Sequence, residues 1–299
     1  MKYVLVVLAA LCLVGSQLAC CQITLPRMPD VEINVPTVKV GEMQDEQQTI
    51  PLAGAAAATV EVSFGAGRLE TKAGTSDQLL SAHFRYNVER WKPEVNFEDG
   101  VLTIEQGGTR TDWGIPTGNT RNEWELEFTP EIPLKMNFEM GAGDGELDFS
   151  GLQLAELDVK LGAGDFEVHF DEPNEAEMSR LTLDAGASKL EVTGLGYAGP
   201  QRVKVQGGVG DIALDFTGAW PRSSQVDVTA GVGALTLRLP DDVGVQVELE
   251  GGLTSVEAPD LHRSGNTYVN DAFGKTEIEL RIHVTAGIGN VRLLQVSNG

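Results

Sequence analysis

Hydrophobic and polar residues alternate along most of this chain, in short runs that flank glycine-rich segments. Residues 157–161 (LDVKL) are apolar at every second position and end at the corner 162–164 (GAG). Residues 166–170 (FEVHF) alternate in the same way directly after it. Alternation with a period of two is typical of β-strands that bury one face. The pattern predicts pairs of strands that bend at a glycine corner around a common core.

The same unit recurs at a nearly constant spacing. Successive corners are 21, 24, 22, 23 and 21 residues apart, and they begin at Gly141, Gly162, Gly186, Gly208, Gly231 and Gly252. A period of about 22 residues, held over this many copies, is typical of a solenoid. We therefore predict an all-β protein, with a repetitive β-solenoid over residues 134–296 and an N-terminal β segment over residues 52–133.

Glycine suits these corners because the chain turns sharply there, often with positive φ, and because neighbouring coils crowd together. The residue between the two glycines is alanine, valine or isoleucine in most copies. We expect this small apolar side chain to fill the inside of the bend. The glycines assigned to corners are Gly141, Gly143, Gly162, Gly164, Gly208, Gly210, Gly231, Gly233, Gly287 and Gly289.

The last unit is longer than the others. Gly252 and Gly287 are 35 residues apart, and the excess falls in residues 260–275. A loop that interrupts a regular array is a common place for a binding site. A cap over the open end of the solenoid, which prevents edge pairing, is the alternative. If the loop binds a partner, its candidate contact residues are Tyr268, Asn270 and Phe273.

The first 20 residues have the pattern of an export signal. An apolar run of secretory length is followed by residues 18–21 (LACC), which resemble the bacterial lipobox. Cys21 is the expected lipidation site, with Cys20 as the alternative; secretion without lipidation is the competing interpretation. Residues 21–51 contain four prolines and predict an extended tether. We expect an exported protein that is lipid-anchored to the outer face of a bacterial membrane.

Charge and cysteine content exclude several classes of function. The chain has 22 Lys and Arg against 44 Asp and Glu, a net charge of −22. Such a surface repels polyanions, which argues against nucleic acid and against docking on anionic lipid through the folded part. All three cysteines lie within the first 21 residues. The rest of the chain therefore has no disulfide, no thiolate metal site and no cysteine nucleophile.

An acidic column is the candidate metal site. Asp144, Asp165 and Asp211 each follow a corner directly, and stacking of the coils would bring some of them close together. Carboxylates at such a distance either remain solvated or bind a divalent cation such as calcium. Lys189 and Ala234 interrupt the column. No other residue pattern indicates a cofactor.

Four segments carry a family resemblance. They are residues 141–152 (GAGDGELDFSGL), 157–165 (LDVKLGAGD), 268–275 (YVNDAFGK) and 282–291 (IHVTAGIGNV). In this order they resemble the toast-rack domain of bacterial envelope proteins, which is related to candidate-adhesin and cell-wall-antibiotic-response β domains. The resemblance extends over residues 55–296. It implies a repetitive all-β stack on a secreted or anchored protein, and it supplies no catalytic residue.

These features predict a non-catalytic, adhesin-like binding or scaffold module of the bacterial cell envelope. Its partners would be the membrane, through the N-terminal lipid, and an envelope protein or glycan. Two alternatives stay open. One is a polysaccharide-active enzyme on a β-helix, because carboxylates are numerous enough to include an acid–base pair. The other is an accessory sensor of an envelope-stress system, which rests on the family resemblance alone.

Overall fold

The structure is a computed structural model that describes residues 39–108 and 119–297. The predicted export signal over residues 1–20, the candidate lipidation sites Cys20 and Cys21, and the first part of the tether lie outside the described residues. The strands are β1 (Gln44–Pro51), β2 (Ala58–Ala73), β3 (Gln78–Tyr86), β4 (Pro93–Glu98), β5 (Val101–Gln106), β6 (Asn122–Phe128), β7 (Leu134–Asp148), β8 (Leu154–His169), β9 (Arg180–Thr193), β10 (Arg202–Val209), β11 (Ile212–Asp215), β12 (Ser224–Pro240), β13 (Gly244–Glu257), β14 (His262–Ser264), β15 (Thr267–Val269) and β16 (Glu279–Val296). A 3-10 turn (Glu89–Trp91) and one short helix, α1 (Leu195–Ala198), complete the described elements.

Each coil is a long strand that runs through its glycine corner. β8 continues across the corner 162–164 and is parallel and in register with both β7 and β9. Ala163 consequently pairs with Ala142 on one side and with Ala187 on the other. In the coil that contains Gly208, the strand is divided into β10 and β11. The prediction of an all-β, solenoid-like fold is confirmed.

One hydrophobic core lies inside the bend of the coils. In β8, Leu161 is the last buried residue before the corner and Phe166 is the first buried residue after it. Phe166 lies five positions after Leu161, an odd step, so the alternation changes phase at the corner. Burying a side chain of this size contributes about 1.5–3 kcal/mol. The two halves of each coil are therefore fixed around a shared core, while the corner residues lie outside it.

The coils do not stack in chain order at the C-terminal end. β16, the last strand, lies between β12 and β13. Its residue Ile288 pairs with Val232 of β12 and with Leu253 of β13. The long segment before Gly287 thus carries the chain away from the end of the array and back into it. The repeat pattern does not distinguish the two orders, because each of the three strands carries a glycine-containing corner.

The tether is shorter than the sequence indicates. Residues Gln44–Pro51 form β1, which pairs antiparallel with β3. The Tyr86 hydroxyl on β3 donates a hydrogen bond of 2.6 Å to the Glu46 carboxylate on β1. Burial, together with this carboxylate, raises the pKa of Tyr86 above its usual value. The prediction of an extended tether over residues 21–51 is wrong for its last eight residues, because this segment pairs with β3 and its alternate side chains are partly buried.

The array begins at β2, within the predicted N-terminal segment. β2 pairs in parallel with β7 on both sides of its corner. Beyond β2 the sheet divides, because residues before the corner pair with β5 and residues after it pair with β6. The N-terminal segment and the array therefore share one sheet, and the first coil stacks directly on the coil that starts at Leu134.

Two buried side-chain amides close the corner of β2. Gln106 Oε1 accepts hydrogen bonds from the backbone N–H groups of Gly65 and Ala66, at 2.9 and 3.3 Å. The Asn122 side-chain amide donates to the Ala66 carbonyl and to Gln106 Oε1, both at 2.8 Å. Gln106 and Asn122 are each only 3% exposed. They replace the hydrogen bonds that a preceding coil would supply, so the first corner leaves few polar groups unpaired.

The strand order predicts which corner positions can be cross-linked. With the three native cysteines replaced by serine, Val232→Cys and Ile288→Cys should form a disulfide under mild oxidation. In-register neighbours lie about 4.8 Å apart, within the range that a disulfide bridges. Val232→Cys and Leu253→Cys should not form one, since β16 separates them by about 9.6 Å, two strand spacings. Peptide mass spectrometry measures both pairs, and the reverse result would show that the coils stack in chain order.

Candidate functional site

Close contact between neighbouring backbones requires glycine at the corner positions. Gly143 and Gly164 have φ values of 129° and 148°, a region that residues with side chains avoid. A Cβ at Gly164 would overlap the carbonyl oxygen of Gly143, and a Cβ at Gly143 would overlap that of Gly67. The corner positions at which an added Cβ would similarly crowd the carbonyl oxygen of a neighbouring coil are Gly141, Gly162, Gly186, Gly208, Gly210, Gly231, Gly233, Gly287 and Gly289.

Four large aliphatic side chains are exposed along the corners, and we call them the corner ridge. Val209 is 59% exposed, Val232 47%, Ile288 55% and Leu253 79%. The strand register places them side by side in this order. The expectation that the residue between the two glycines of a corner fills the inside of the bend is wrong for Val209, Val232 and Ile288. The change of phase at the corner turns their side chains outward.

The corner ridge has little beside it that could shield it from solvent. Glycine flanks Val209, Val232 and Ile288 on both sides in the sequence. The register continues the ridge as alanines at positions 187, 163 and 142. Among the described residues, the other exposed large hydrophobic side chains are Val40 and Met43, near the start of β1. A contiguous exposed aliphatic surface is a common mark of an interaction site.

The acidic column does not assemble into a metal site. Asp144 pairs with Asp165, but Asp144 also pairs with Arg68, and Asp165 pairs with Lys189. Asp211 lies on the far side of Lys189, where its carboxylate accepts a hydrogen bond of 3.1 Å from the backbone N–H of Ala234. Within residues 39–108 and 119–297, no group of three or more His, Cys, Asp or Glu side chains could hold a metal ion. Arg68 and Lys189 lie on either side of the Asp144–Asp165 pair and offset the repulsion between the two carboxylates.

The segment over residues 260–275 packs against the end of the array. Tyr268 and Asn270 are both buried. The Asn270 side chain donates to the carbonyl oxygens of Pro240 and Val243, at 3.1 and 2.7 Å. Its Oδ1 accepts hydrogen bonds from the backbone N–H groups of Val245 and Phe273, at 2.9 and 3.0 Å. These contacts are internal, so Tyr268 and Asn270 are poor contact residues for a partner.

The remaining contacts of this segment also favour the capping alternative. β14 and β15 form a hairpin, and β15 pairs antiparallel with residues Gln246–Glu248 of β13. Phe273 is half-buried, and the guanidinium carbon of Arg281 lies 5.4 Å from its ring centroid. The His262 ring lies 2.7 Å from the Asp271 carboxylate and lowers the pKa of that carboxyl below its usual value. The segment therefore covers one half of the terminal coil.

A groove of about 350 Å³ lies on the outer face of β2, β7 and β8. Its polar side chains are Ser63, Glu139 and Lys160, which the register places on adjacent strands. They alternate with core residues and face away from the core. The groove presents opposite charges at an open surface, where their mutual attraction is weak.

The sequence matches a family profile over most of the described chain. The profile describes the N-terminal domain of toast_rack, DUF2154, and it matches residues 39–193 and 174–238. No curated protein matches the sequence. In the described part of the chain, no helix has the length and hydrophobicity that a membrane span needs.

Several solved structures are similar to this chain. A candidate cell adhesion protein from Clostridium sporogenes ATCC 15579 is 24% identical, with coverage of 85% of this chain and 100% of that chain and a TM-score of 0.48. A candidate adhesin from Bacteroides fragilis NCTC 9343 is 7% identical, with coverage of 85% and 97% and a TM-score of 0.38. A candidate lipid-binding protein from Parabacteroides distasonis ATCC 8503 is 10% identical, with coverage of 85% and 97% and a TM-score of 0.36.

The structural similarity to these proteins is too low to indicate a function. The profile match, in contrast, shows the family. The two matched segments together span residues 39–238 and contain the corners of β2, β7, β8, β9 and β12. The resemblance found in the sequence is thereby confirmed. The chain belongs to the toast-rack family, and residues 39–238 correspond to its N-terminal domain, DUF2154.

Proposed function

We propose that this protein is a lipid-anchored, extracytoplasmic binding or scaffold module of the bacterial cell envelope, adhesin-like and non-catalytic. The corner ridge is the observation that carries the proposal. A partner, either a protein or a glycan of the envelope, contacts the array along this ridge. The N-terminal lipid on Cys21 or Cys20 holds the module at the outer face of the membrane, and the proline-containing tether gives it reach.

The exposure of the ridge supports a binding role. Most other large aliphatic side chains of the array, such as Leu235 and Leu237 on β12, are buried. Covering one ridge side chain that is already half exposed would contribute on the order of 1 kcal/mol. Four such residues in register therefore supply enough apolar contact for a partner, provided that its surface follows a line of side chains spaced by the strand separation.

The negative charge of the chain limits the kinds of partner that can bind to the ridge. The net charge of −22 repels nucleic acid and anionic lipid surfaces. Near the ridge, Asp165 and Asp211 are exposed and follow their corners directly. A neutral or cationic partner meets no electrostatic barrier at this surface, and it would associate faster at low ionic strength if it is cationic.

The anchor is tested by the intact mass of the protein extracted from membranes. The expected mass is that of the chain without its leader, increased by acyl groups on Cys21. Cys21→Ala should remove the acyl mass and release the protein from the membrane fraction, whereas Cys20→Ala should leave it in place. If Cys20 is the modified residue, the two variants exchange behaviour. A wild-type mass without acyl groups contradicts the anchor.

The ridge is tested by crosslinking on intact cells followed by mass spectrometry. The variant Val209→Ser, Val232→Ser, Ile288→Ser should reduce recovery of the crosslinked neighbour by at least about tenfold, because roughly 1.4 kcal/mol corresponds to a factor of ten. The control variant Gln206→Ala, Thr229→Ala, Thr285→Ala changes exposed residues on the same three strands. It should retain the neighbour. Equal recovery with the ridge variant contradicts the proposed contact surface.

A further inference from the structure

The two ends of the array are closed to different extents. At the first end, β5 and β6 cover the two halves of β2, and the side chains of Gln106 and Asn122 cover its corner. At the other end, β15 covers only residues Gln246–Glu248 of β13. The backbone N–H of Leu249 still donates to the Asn266 carbonyl, at 2.9 Å. The contacts that cover β13, the terminal coil, therefore end just before its corner.

The rest of β13 forms an uncovered sheet edge, which we call the open edge and which comprises residues Glu250–Glu257. On one side it pairs in parallel with β16. On its other side, no strand among the described residues pairs with it. Half of its backbone N–H and C=O groups thus point outward without a strand partner. Such groups are satisfied either by water or by an added strand.

Between its two terminal glutamates, the open edge lacks the features that protect other edges of this sheet. β1 carries Asp45 and Glu46 and ends at Pro51. β14 is only three residues long, and all of them are exposed and polar. By contrast, residues 251–256 (GGLTSV) contain no charge and no proline. Natural sheets block edge pairing with charge, proline or short length, so an edge without them is suited to accept a strand.

The core is also incompletely covered at this edge. Val256 and Ala258 are partly buried and pack against the main core. Leu253 is the most exposed large hydrophobic side chain of the described chain, at 79%. An added strand that carries aliphatic residues would cover Val256 and contact Leu253. Strand addition of this kind combines main-chain hydrogen bonds with pockets for alternate side chains.

The charge around the open edge selects the kind of strand. Glu257 forms an ion pair with Arg292 at 3.3 Å, whereas Glu250 has no ion pair among the residues that the structure describes. A second copy of this chain would bring another molecule with a net charge of −22. Its own free edge, β1, is acidic too. Like charges that oppose each other across strands are destabilising, so a cationic segment fits better than a second copy.

We propose that the open edge takes an extended segment of another protein as an added β-strand, and that this segment alternates basic and aliphatic residues on both sides of a glycine-containing corner like those of the array. Its basic side chains lie near Glu250, and its aliphatic side chains cover Val256 and Leu253. The proposal goes beyond the corner ridge, because it depends neither on the lipid anchor nor on Val209, Val232 or Ile288. The two surfaces can therefore fail or succeed separately.

Hydrogen exchange of the full chain, read by mass spectrometry, tests this proposal. The probe is the nine-residue peptide VKVGVGKVK, in which lysine and valine alternate on both sides of a corner, and the control probe VEVGVGEVE has glutamate in place of each lysine. The lysine peptide should slow exchange of the amides of residues 250–257 by at least about tenfold. The glutamate peptide should leave exchange there unchanged. No slowing with the lysine peptide overturns the proposal.

Matched variants separate the open edge from the corner ridge. Leu253→Lys places a cation beside the lysines of the peptide and removes an aliphatic contact, so the slowing should be lost. Val209→Lys changes the equivalent corner residue of an internal coil that is paired on both sides, and the slowing should persist. Loss of slowing in both variants would assign the peptide to the ridge and contradict the proposal. Dimers in sedimentation velocity, with residues 250–257 protected before peptide is added, would also contradict it.

Discussion

The fold depends on close contact between backbones at the corners. Neighbouring strands approach so closely there that the carbonyl oxygen of one coil occupies the space that a Cβ on the next coil would need, as between Gly143 and Gly164. Positive φ at the same positions adds a second reason for glycine. This contact lets a single strand bend around the core without interrupting its pairing. It also explains why the unit repeats with so little variation at the corner.

The same constraint creates the surface on which the proposed function rests. A corner that changes the phase of alternation turns its middle residue outward. Where that residue is alanine, only a methyl group projects from the outer surface of the corner. Where it is Val209, Val232, Ile288 or Leu253, an aliphatic ridge results. The ridge lies toward the end of the array that also has the open edge, and Leu253 belongs to both. The geometry that stabilises the stack thus concentrates apolar contact area at one end of it.

Local patterns in the sequence were sufficient to predict the repeat. Alternation in residues 157–161 and 166–170, and the spacing of the glycine corners, predicted the all-β stack because both report on neighbouring coils in a regular array. The direction of Val209 was predicted wrongly, although the sequence carries the change of phase: apolar residues fall at odd positions in 157–161 and at even positions in 166–170. The repeat spacing does not predict that β16 lies between β12 and β13. The roles of Gln106, Asn122 and Asn270 depend on contacts between residues far apart in the chain.

The requirement for glycine at the corner is tested most directly by the stability of Gly164→Ala against Gly274→Ala. Both glycines have positive φ, but an added Cβ meets nothing within 4 Å at Gly274 and overlaps the Gly143 carbonyl at Gly164. Denaturant unfolding should show a loss of about 1–2 kcal/mol for Gly274→Ala, the cost of left-handed backbone. Gly164→Ala should lose at least about 3 kcal/mol more, because the two coils must separate at the corner. Equal losses in the two variants would contradict the claim that backbone contact at the corners holds the array together.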